Sequence, residues 1–280
     1  IRTRQTYINL DSLPPPAFDL AEETLRKGGV ITAEFSRGCH YNVCTFCPRA
    51  HKSGSWRGMG PVGFSRHLLA YERMFTSLGE ASYVFFADEE FVGPAAASFD
   101  GGKRISRFLE AVHSLKTEIS FDIAMRADQA YSSARDRDWH LNRGRMLRAL
   151  AAAGLKRLFL GVESGSDSQL LRYNKGTDVE TNTSSLRFLS MLGIKLRFGF
   201  ITFDPLMSAD ELCENIDFLS RTDIVLPANP QSVEDLFALV DSYHARRLPI
   251  SEGTPVFSNV SYMASPRAAQ EQVSDRCSSK

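Results

Sequence analysis

Two hydrophobic periods alternate along the chain. Short apolar runs of strand length recur at wide intervals: "VITAEFS" (Val30 to Ser36), "SYVFFAD" (Ser82 to Asp88), "ISFDIAMRAD" (Ile119 to Asp128), "RLFLGVES" (Arg157 to Ser164) and "KLRFGFITF" (Lys195 to Phe203). Between them lie segments whose apolar residues return every three or four positions, the spacing of one helix face. These are "FSRHLLAYERMFTSLG" (Phe64 to Gly79), "KRISRFLEAVHSL" (Lys103 to Leu115), "GRMLRALAAAG" (Gly144 to Gly154) and "ETNTSSLRFLSMLG" (Glu180 to Gly193). A fifth, "SADELCENIDFLSR" (Ser208 to Arg221), opens with Ser208 as N-cap and Glu211 at the capping-box position. Strand and helix alternating in this way predict repeated βα units around a parallel sheet. A sixth strand has two candidates, "DIVLPAN" and "TPVFSNV".

The polar residues refine this to a barrel. The strands end in "FSRGC", "FADEE", "MRAD", "GVESGSD" and "ITFDP", each placing charged or hydrogen-bonding groups directly after an apolar run. In a parallel barrel those ends converge on one rim, where active sites form. The expected architecture is α/β, a partial (β/α)6 TIM-like barrel over residues 29–225. Residues 1–28, with the proline-rich "INLDSLPPPAFDL", are expected to be a linker or wrap, and residues 226–280 a C-terminal extension ending in a polar tail. The opening "IRTRQTY", without an initiator Met, raises the expectation of a missing upstream domain.

Composition narrows the class. The 280 residues are 43% apolar, enough for a substantial core, and Lys plus Arg balance Asp plus Glu at 33 each, which gives a nucleic-acid partner no support. No run approaches the roughly 18 apolar residues of a membrane span, and the N-terminus lacks a signal peptide's pattern, so a cytoplasmic protein without membrane contact is expected.

Five cysteines are present, an odd number, and three of them crowd into "SRGCHYNVCTFCPRAH" as Cys39, Cys44 and Cys47. A secreted disulfide framework would be even and dispersed. Two chemistries suit the cluster. Structural zinc wants four ligands, which His40 or His51 would complete as Cys3His. A [4Fe–4S] cube held by three thiolates leaves one iron open to something other than protein. The zinc reading explains neither the barrel nor its rim of carboxylates.

"SRGC…CTFCPR", "LDSLPPPAFDL" and "GVESGSD" resemble motifs of the radical S-adenosylmethionine (SAM) enzymes, nearest the branch whose members often carry a cobalamin-binding domain. The resemblance covers roughly Leu10 to Arg221. It implies a [4Fe–4S] cluster on Cys39, Cys44 and Cys47, whose open iron is chelated by SAM. The usual spacing of three residues then two is not met: His40, Tyr41, Asn42 and Val43 separate the first two cysteines, an extra residue that can bulge outward. The resemblance further implies Phe46 near the adenine, Glu89 with Asp88 on the SAM amino group, and Arg126 on its carboxylate. Glu163 and Ser164 would contact its ribose or methionyl part, and Gly199 with Ile201 would form a backbone platform for adenine. Structural alternatives stand beside these: Arg126 paired with Asp122 or Asp128, and Ser164 with Asp167 as helix caps. Arg37, His40, Arg49 and His51 would add positive charge near the cluster. Cys213, in "DELCENIDFL", is either a small buried residue of a helix or a hydrogen-atom donor; Cys277 lies in the tail.

The implied activity is reductive cleavage of SAM to a 5′-deoxyadenosyl radical, which takes hydrogen from a small-molecule substrate, with a reductase or flavodoxin-type protein as electron donor. Rim carboxylates Glu90, Asp128 and Asp204 suggest an amino sugar or aminoglycoside intermediate undergoing dehydration or epimerisation, as in antibiotic biosynthesis. The alternative is a methyltransferase whose cobalamin rides on a domain absent from this sequence.

Overall fold

A computed structural model describes residues 8–47, 56–94, 100–229, 231–243 and 253–262. Six parallel strands form one sheet in the order β1 (Ile31–Ala33), β4 (Tyr83–Phe86), β5 (Ser120–Arg126), β6 (Leu155–Glu163), β7 (Lys195–Phe200) and β8 (Val260–Tyr262). The six follow sequence order, and β2 (Ser36–Arg37) and β3 (Arg57–Gly58) stand outside the sheet, paired with each other as a small antiparallel ribbon. Helices α2 (Pro61–Leu78), α3 (Asp100–His113) and α4 (Arg137–Ala152) connect the first four sheet strands. The short α5 (Asp167–Arg172) and α6 (Val179–Met191) lead from β6 to β7, and α7 (Ala209–Ser220) with α8 (Val233–Tyr243) from β7 to β8. This is the partial (β/α)6 barrel expected from the sequence.

Several helix boundaries have an identifiable cause. Pro61 sits at the first helical turn of α2, and Gly79, at φ 67°, closes it in the left-handed conformation that costs glycine nothing. The cap of α2 comes from outside the helix. Asp11 Oδ1 accepts from Gly60 N–H at 2.8 Å and Gly63 N–H at 3.0 Å, while Arg66 donates to the carbonyls of Asp11 and Leu13. The proline-rich wrap is therefore docked: Asn9 caps a 3-10 turn at Leu10–Ser12, Leu10 enters the core, and the first helix, α1 (Ala21–Arg26), follows. On α7, Ser208 and Glu211 form the reciprocal capping box read from the sequence.

Two sequence expectations need correction. Helix α4 begins at Arg137, two turns before the predicted Gly144, because Asp136 caps it by accepting from Trp139 N–H at 2.8 Å. Its first turns, "RDWHLNR", carry no apolar period to betray them. The barrel boundary at 225 is also wrong, since β8 falls within the segment assigned to an extension and pairs in register with β7, Phe198 opposite Val260. The predicted "TPVFSNV" forms a 3-10 turn over Val256–Asn259 and its last residue, Val260, opens β8, whereas "DIVLPAN" supplies an isolated bridge from Val225 to Thr254.

The core beneath β1, β4 and β5 is a knot of phenylalanines. Phe108 of α3 meets Phe64, Phe86, Phe91 and Phe121 edge to face at 5.1–5.8 Å, and Phe86 stacks on Phe121 at 5.0 Å. Arg104, one turn before Phe108, crosses this region under three rings and donates to the carbonyls of Phe35, Met59 and Phe91. It ties the ends of β1 and β4 to the ribbon, and so fixes where the cysteine loop departs. Among the described residues, no helix is long and apolar enough to cross a membrane.

Candidate active site

The loop after β2 is held from two sides. On the sheet side, Asp88 accepts from Phe35 N–H at 3.2 Å and from the Ser36 hydroxyl at 2.5 Å, and Glu89 accepts from Gly38 N–H at 2.8 Å. Gly38 takes φ 84°, which turns the chain into the cysteine segment. From the other side, the turn after α5 grips the loop: Thr45 N–H donates to Tyr173 O at 2.9 Å, its hydroxyl to Arg172 O, and the Asn174 amide to Val43 O at 2.9 Å. Gly176, at φ 68°, lies against the Tyr41 ring, where a Cβ would collide with it. The extra residue of the Cys39–Cys44 interval is absorbed outward, with Val43 left 53% exposed.

Cys39, Cys44 and Cys47 all line one cavity of about 520 Å³, a volume in the usual range for a small-molecule site. Phe46 stands between the second and third cysteine and meets Tyr173 edge to face at 5.3 Å. The opposite wall comes from the carboxyl ends of three strands: Phe85, Ala87, Asp88 and Glu89 from β4, Ala124 to Arg126 from β5, and Phe159, Gly161 and Glu163 from β6. Parallel strands put these ends together, which is why residues far apart in sequence share one rim. Burial raises the Cys44 thiol, while Lys175 and Arg126 pull it back toward thiolate.

Glu163 is the most constrained group here. A β-bulge between Gly161 and Glu163 breaks the register with β7, and Glu163 is held at φ 69°, a conformation that costs a non-glycine residue of order 1–3 kcal/mol. Its main-chain carbonyl accepts from Ile201 N–H at 2.8 Å, and its Oε1 receives Lys175 Nζ at 3.3 Å. Both side chains are buried. Oε2 is buried with no partner. Gly161 makes room for the pair, since a Cβ there would stand 2.8 Å from Lys175 Nζ.

Arg126 is paired with Asp128, the structural alternative weighed above, by a two-bond fork at 2.9 and 3.0 Å. It also donates to Lys175 O at 2.8 Å and reaches Cys44 Sγ at 3.8 Å, and its guanidinium lies 4.0 Å from the centre of the Tyr41 ring. Asp122 pairs instead with Arg157.

Several expected members fall elsewhere. Ser164 is fully buried behind the rim, its hydroxyl engaged with Gln169 and Asn215; it neither lines the cavity nor caps α5. Asp167 accepts from Val179 N–H, so it braces the turn into α6. Gly199 and Ile201 do not line the cavity, and Ile201 acts through its hydrogen bond to Glu163. Cys213 is exposed on α7, which removes both readings, the buried packing residue and the hydrogen donor in the cavity. Of the positive charge expected around the cluster, the described members are otherwise occupied: Arg37 pairs with Glu34, and burial lowers His40. Arg49, His51 and Cys277 lie outside the described residues. Of the carboxylates expected to hold an amino substrate, Asp128 is committed to the Arg126 side chain and Asp204 to Arg172, while Glu90 is fully buried, with Oε2 accepting from Arg126 N–H and Oε1 without a hydrogen-bond partner among the described residues.

Lys175 escaped the sequence reading. Nothing in "YNKG" marks it, and only the hairpin back from α5 carries it into the cavity. The donor set suits an iron–sulfur cluster with a polar ligand: three thiols around a volume, two cations beside them, and a wall carboxylate, Glu163, one of whose oxygens is buried without a hydrogen-bond partner among the described residues. Among the described residues, no three His, Cys, Asp or Glu side chains stand close enough to share one metal ion. His40, the described candidate for a fourth zinc ligand, meets the Gln129 amide at 3.2 Å instead.

No protein-family model matches the chain. A curated relative, the 4'-phospho-dehydrooxetanocin synthase of Priestia megaterium, is 39% identical over 261 residues, 90% of this chain and 34% of the relative. The cobalamin-dependent S-adenosylmethionine radical enzyme OxsB, solved with aqua-cobalamin and also with aqua-cobalamin and S-adenosylmethionine, superimposes with a TM-score of 0.85 and 36% identity. That match covers 98% of this chain and 39% of OxsB. TsrM of Kitasatospora setae, a radical S-adenosylmethionine methyltransferase, shares the fold at a TM-score of 0.52 and 16% identity over 70% of this chain and 34% of its own. The chain thus spans little more than a third of the length of the relatives it matches.

Proposed function

Since the chain belongs to the radical SAM enzymes, as a homologue of the cobalamin-dependent enzyme OxsB, we propose that its cavity binds a [4Fe–4S] cluster and SAM and starts radical chemistry on a small phosphorylated substrate. The observation that carries this is the meeting of Cys39, Cys44 and Cys47 with Arg126, Glu163 and Lys175 on the lining of one cavity. The cysteines would hold the cluster as thiolates. When bound, the reduced cluster supplies the electron that cleaves SAM to methionine and a 5′-deoxyadenosyl radical, which abstracts hydrogen.

The protein's own groups bind, orient and exclude water. Glu163 Oε2 offers an acceptor to a hydroxyl or ammonium of SAM, and its strained backbone fixes that oxygen before the ligand arrives. Lys175 keeps Oε1 occupied, so the carboxylate cannot turn away. Glu89 serves the loop by holding Gly38, and its position on the cavity wall suits the SAM amino group. Phe46 offers a ring to the adenine. Phe85, Met125 and Phe159 give the wall an apolar surface that keeps water from a radical.

For the substrate, the name of the Priestia megaterium relative favours a phosphorylated, oxetanocin-like compound over the amino sugar expected from the sequence. The main reason for an amino sugar weakens, because Asp128 and Asp204 are engaged by arginines and Glu90, fully buried, accepts from Arg126 N–H and does not line the cavity. Rearrangement then joins dehydration and epimerisation as the outcome of hydrogen abstraction. Cobalamin would ride on sequence outside this chain, as the presence of aqua-cobalamin in OxsB suggests. An external one-electron donor of the flavodoxin type would reduce the cluster.

The test is anaerobic reconstitution with iron and sulfide, then dithionite and SAM, with 5′-deoxyadenosine measured by liquid chromatography. We expect production by the wild type and none by Cys44→Ala. Iron-free protein that leaves SAM intact would sink the proposal.

A further inference from the structure

Arg126 was expected to meet the carboxylate of SAM, but its donors are almost all spent inside the protein. Of five guanidinium N–H groups, four have partners among the described residues: Nε and one Nη2 hydrogen on Asp128, the other Nη2 hydrogen on Lys175 O, and Nη1 toward Cys44 Sγ at 3.8 Å. One face is also taken, by the Tyr41 ring at 4.0 Å. The group is buried and cannot swing to a new partner without breaking the Asp128 fork.

The arrangement has a direction. Asp128 takes the Nε and Nη2 edge, so the pair is a dipole whose positive Nη1 end points at the Cys44 sulfur. The backbone of Arg126 is fixed as well, its N–H donating to Glu90 Oε2 at 2.8 Å. Tyr41, inside the lengthened interval between Cys39 and Cys44, is clamped between this guanidinium and Gly176.

From this geometry we infer that Arg126 is a positioning residue for the cluster: it holds Cys44 and its loop in place and directs positive charge at the Cys44 sulfur, raising the reduction potential. The inference rests on the reading of Cys44 as a cluster ligand. Its physical basis is general, since hydrogen bonds to cluster sulfurs and net charge nearby set iron–sulfur potentials. Adding an electron makes the cluster more negative, so a cation at the sulfur favours the reduced form. Asp128 acts through Arg126, and the carboxylate of SAM must look to other donors, of which Lys175 lines the same cavity.

Arg126→Gln and Arg126→Lys test this alongside the wild type. After anaerobic reconstitution, each would be titrated without SAM, following the reduced cluster by electron paramagnetic resonance, and SAM affinity would be measured separately by equilibrium dialysis. In Arg126→Gln we expect the ratio of reduced to oxidised cluster at fixed poise to fall about tenfold, a shift of about 59 mV for one electron, with Arg126→Lys between it and wild type. SAM affinity should change less than threefold. An unchanged potential with SAM binding lost would overturn the inference and return Arg126 to the SAM carboxylate. A second readout needs no cluster. In metal-free protein, iodoacetamide alkylation of Cys44, scored by mass spectrometry against Cys39 and Cys47, should slow severalfold in Arg126→Gln. An unchanged ratio there overturns the inference even if reconstitution fails, and a wild type that binds no iron would count against the cluster reading alone.

Discussion

At the scale of single residues, the site is built from side chains held where they would not rest by themselves. Glu163 pairs with buried Lys175 and keeps one oxygen idle. Replacing it with alanine would leave Lys175 buried and uncompensated, so we expect a loss of about 3 kcal/mol in urea denaturation. The same change should weaken SAM binding roughly 10- to 100-fold, the usual worth of a charged hydrogen bond. Asp88 and Glu90 differ in kind. Burial pushes both up to about 7, against partial relief from Ser36 and Phe35 for Asp88 and from Arg126 N–H for Glu90. A carboxyl raised in the folded state binds protons that the unfolded chain has already released. Its stabilising contribution is therefore complete below about pH 4 and lost as pH rises through 7. Glu211 runs the other way: its bonds to Arg172 lower it to about 2, so its contribution holds above about 4.5 and fades only in strong acid. Glu90→Gln should flatten the decline in stability between pH 4.5 and 7, measured by denaturant titration at stepped pH; an unaltered slope would mean that Glu90 is ionised throughout.

At the scale of elements, the cysteine loop depends on a helix that has no catalytic group of its own. Arg172, the last residue of α5, binds Asp204 and both oxygens of Glu211, joining α5 to the start of α7, while its carbonyl receives the Thr45 hydroxyl. Arg172→Ala should cost about 1–3 kcal/mol, kept low because the guanidinium is partly exposed, and should reduce the iron bound per chain after reconstitution. Ser208→Ala, which breaks the α7 capping box but leaves the cysteine loop alone, should cost about 1 kcal/mol and leave iron content intact. The difference in iron content between the two variants measures how far α5 serves the loop. The sequence displayed the parts of this scheme that obey a period. Five strands, five helices and the α7 cap were visible as apolar spacing and turn residues. Most of what it concealed follows no period: the polar first turns of α4, the six residues of α5, and Lys175, whose role comes from a backbone turn; α8, with Val233, Leu236, Phe237 and Val240 on one buried face, was periodic and still passed over inside the segment assigned to an extension. Arg126 was found with Asp128 among its possible partners, but the choice between SAM and Asp128 depends on side-chain geometry that spacing does not encode.

At the scale of the whole molecule, one continuous core runs from β1 to β7 and the helices packed on them. The phenylalanine knot and Arg104 pack beneath β1, β4 and β5, under the strands that carry Asp88, Glu89 and Arg126. Phe108→Ala would open a cavity at its centre, with an expected cost of about 4 kcal/mol in denaturant titration. The chain corresponds to little more than a third of the length of those relatives. If the cobalamin proposal holds, protein carrying the additional sequence should bind a corrinoid and show its visible absorption, and this barrel alone should not.

The sheet is an open ribbon of six strands, with β1 and β8 as its free margins. Strand β8 docks on β7 only after the chain has passed through α7 and α8. During synthesis, β7 would leave the ribosome well ahead of its last neighbour, with the main-chain groups of Phe198 to Phe200 unpaired and their aromatic rings nearby. Such a margin invites pairing with another nascent copy. A chain interrupted between α8 and β8 would keep every cysteine of the site and still be the form most prone to clump, so expression trials that trim the C-terminal segment should stop after Tyr262.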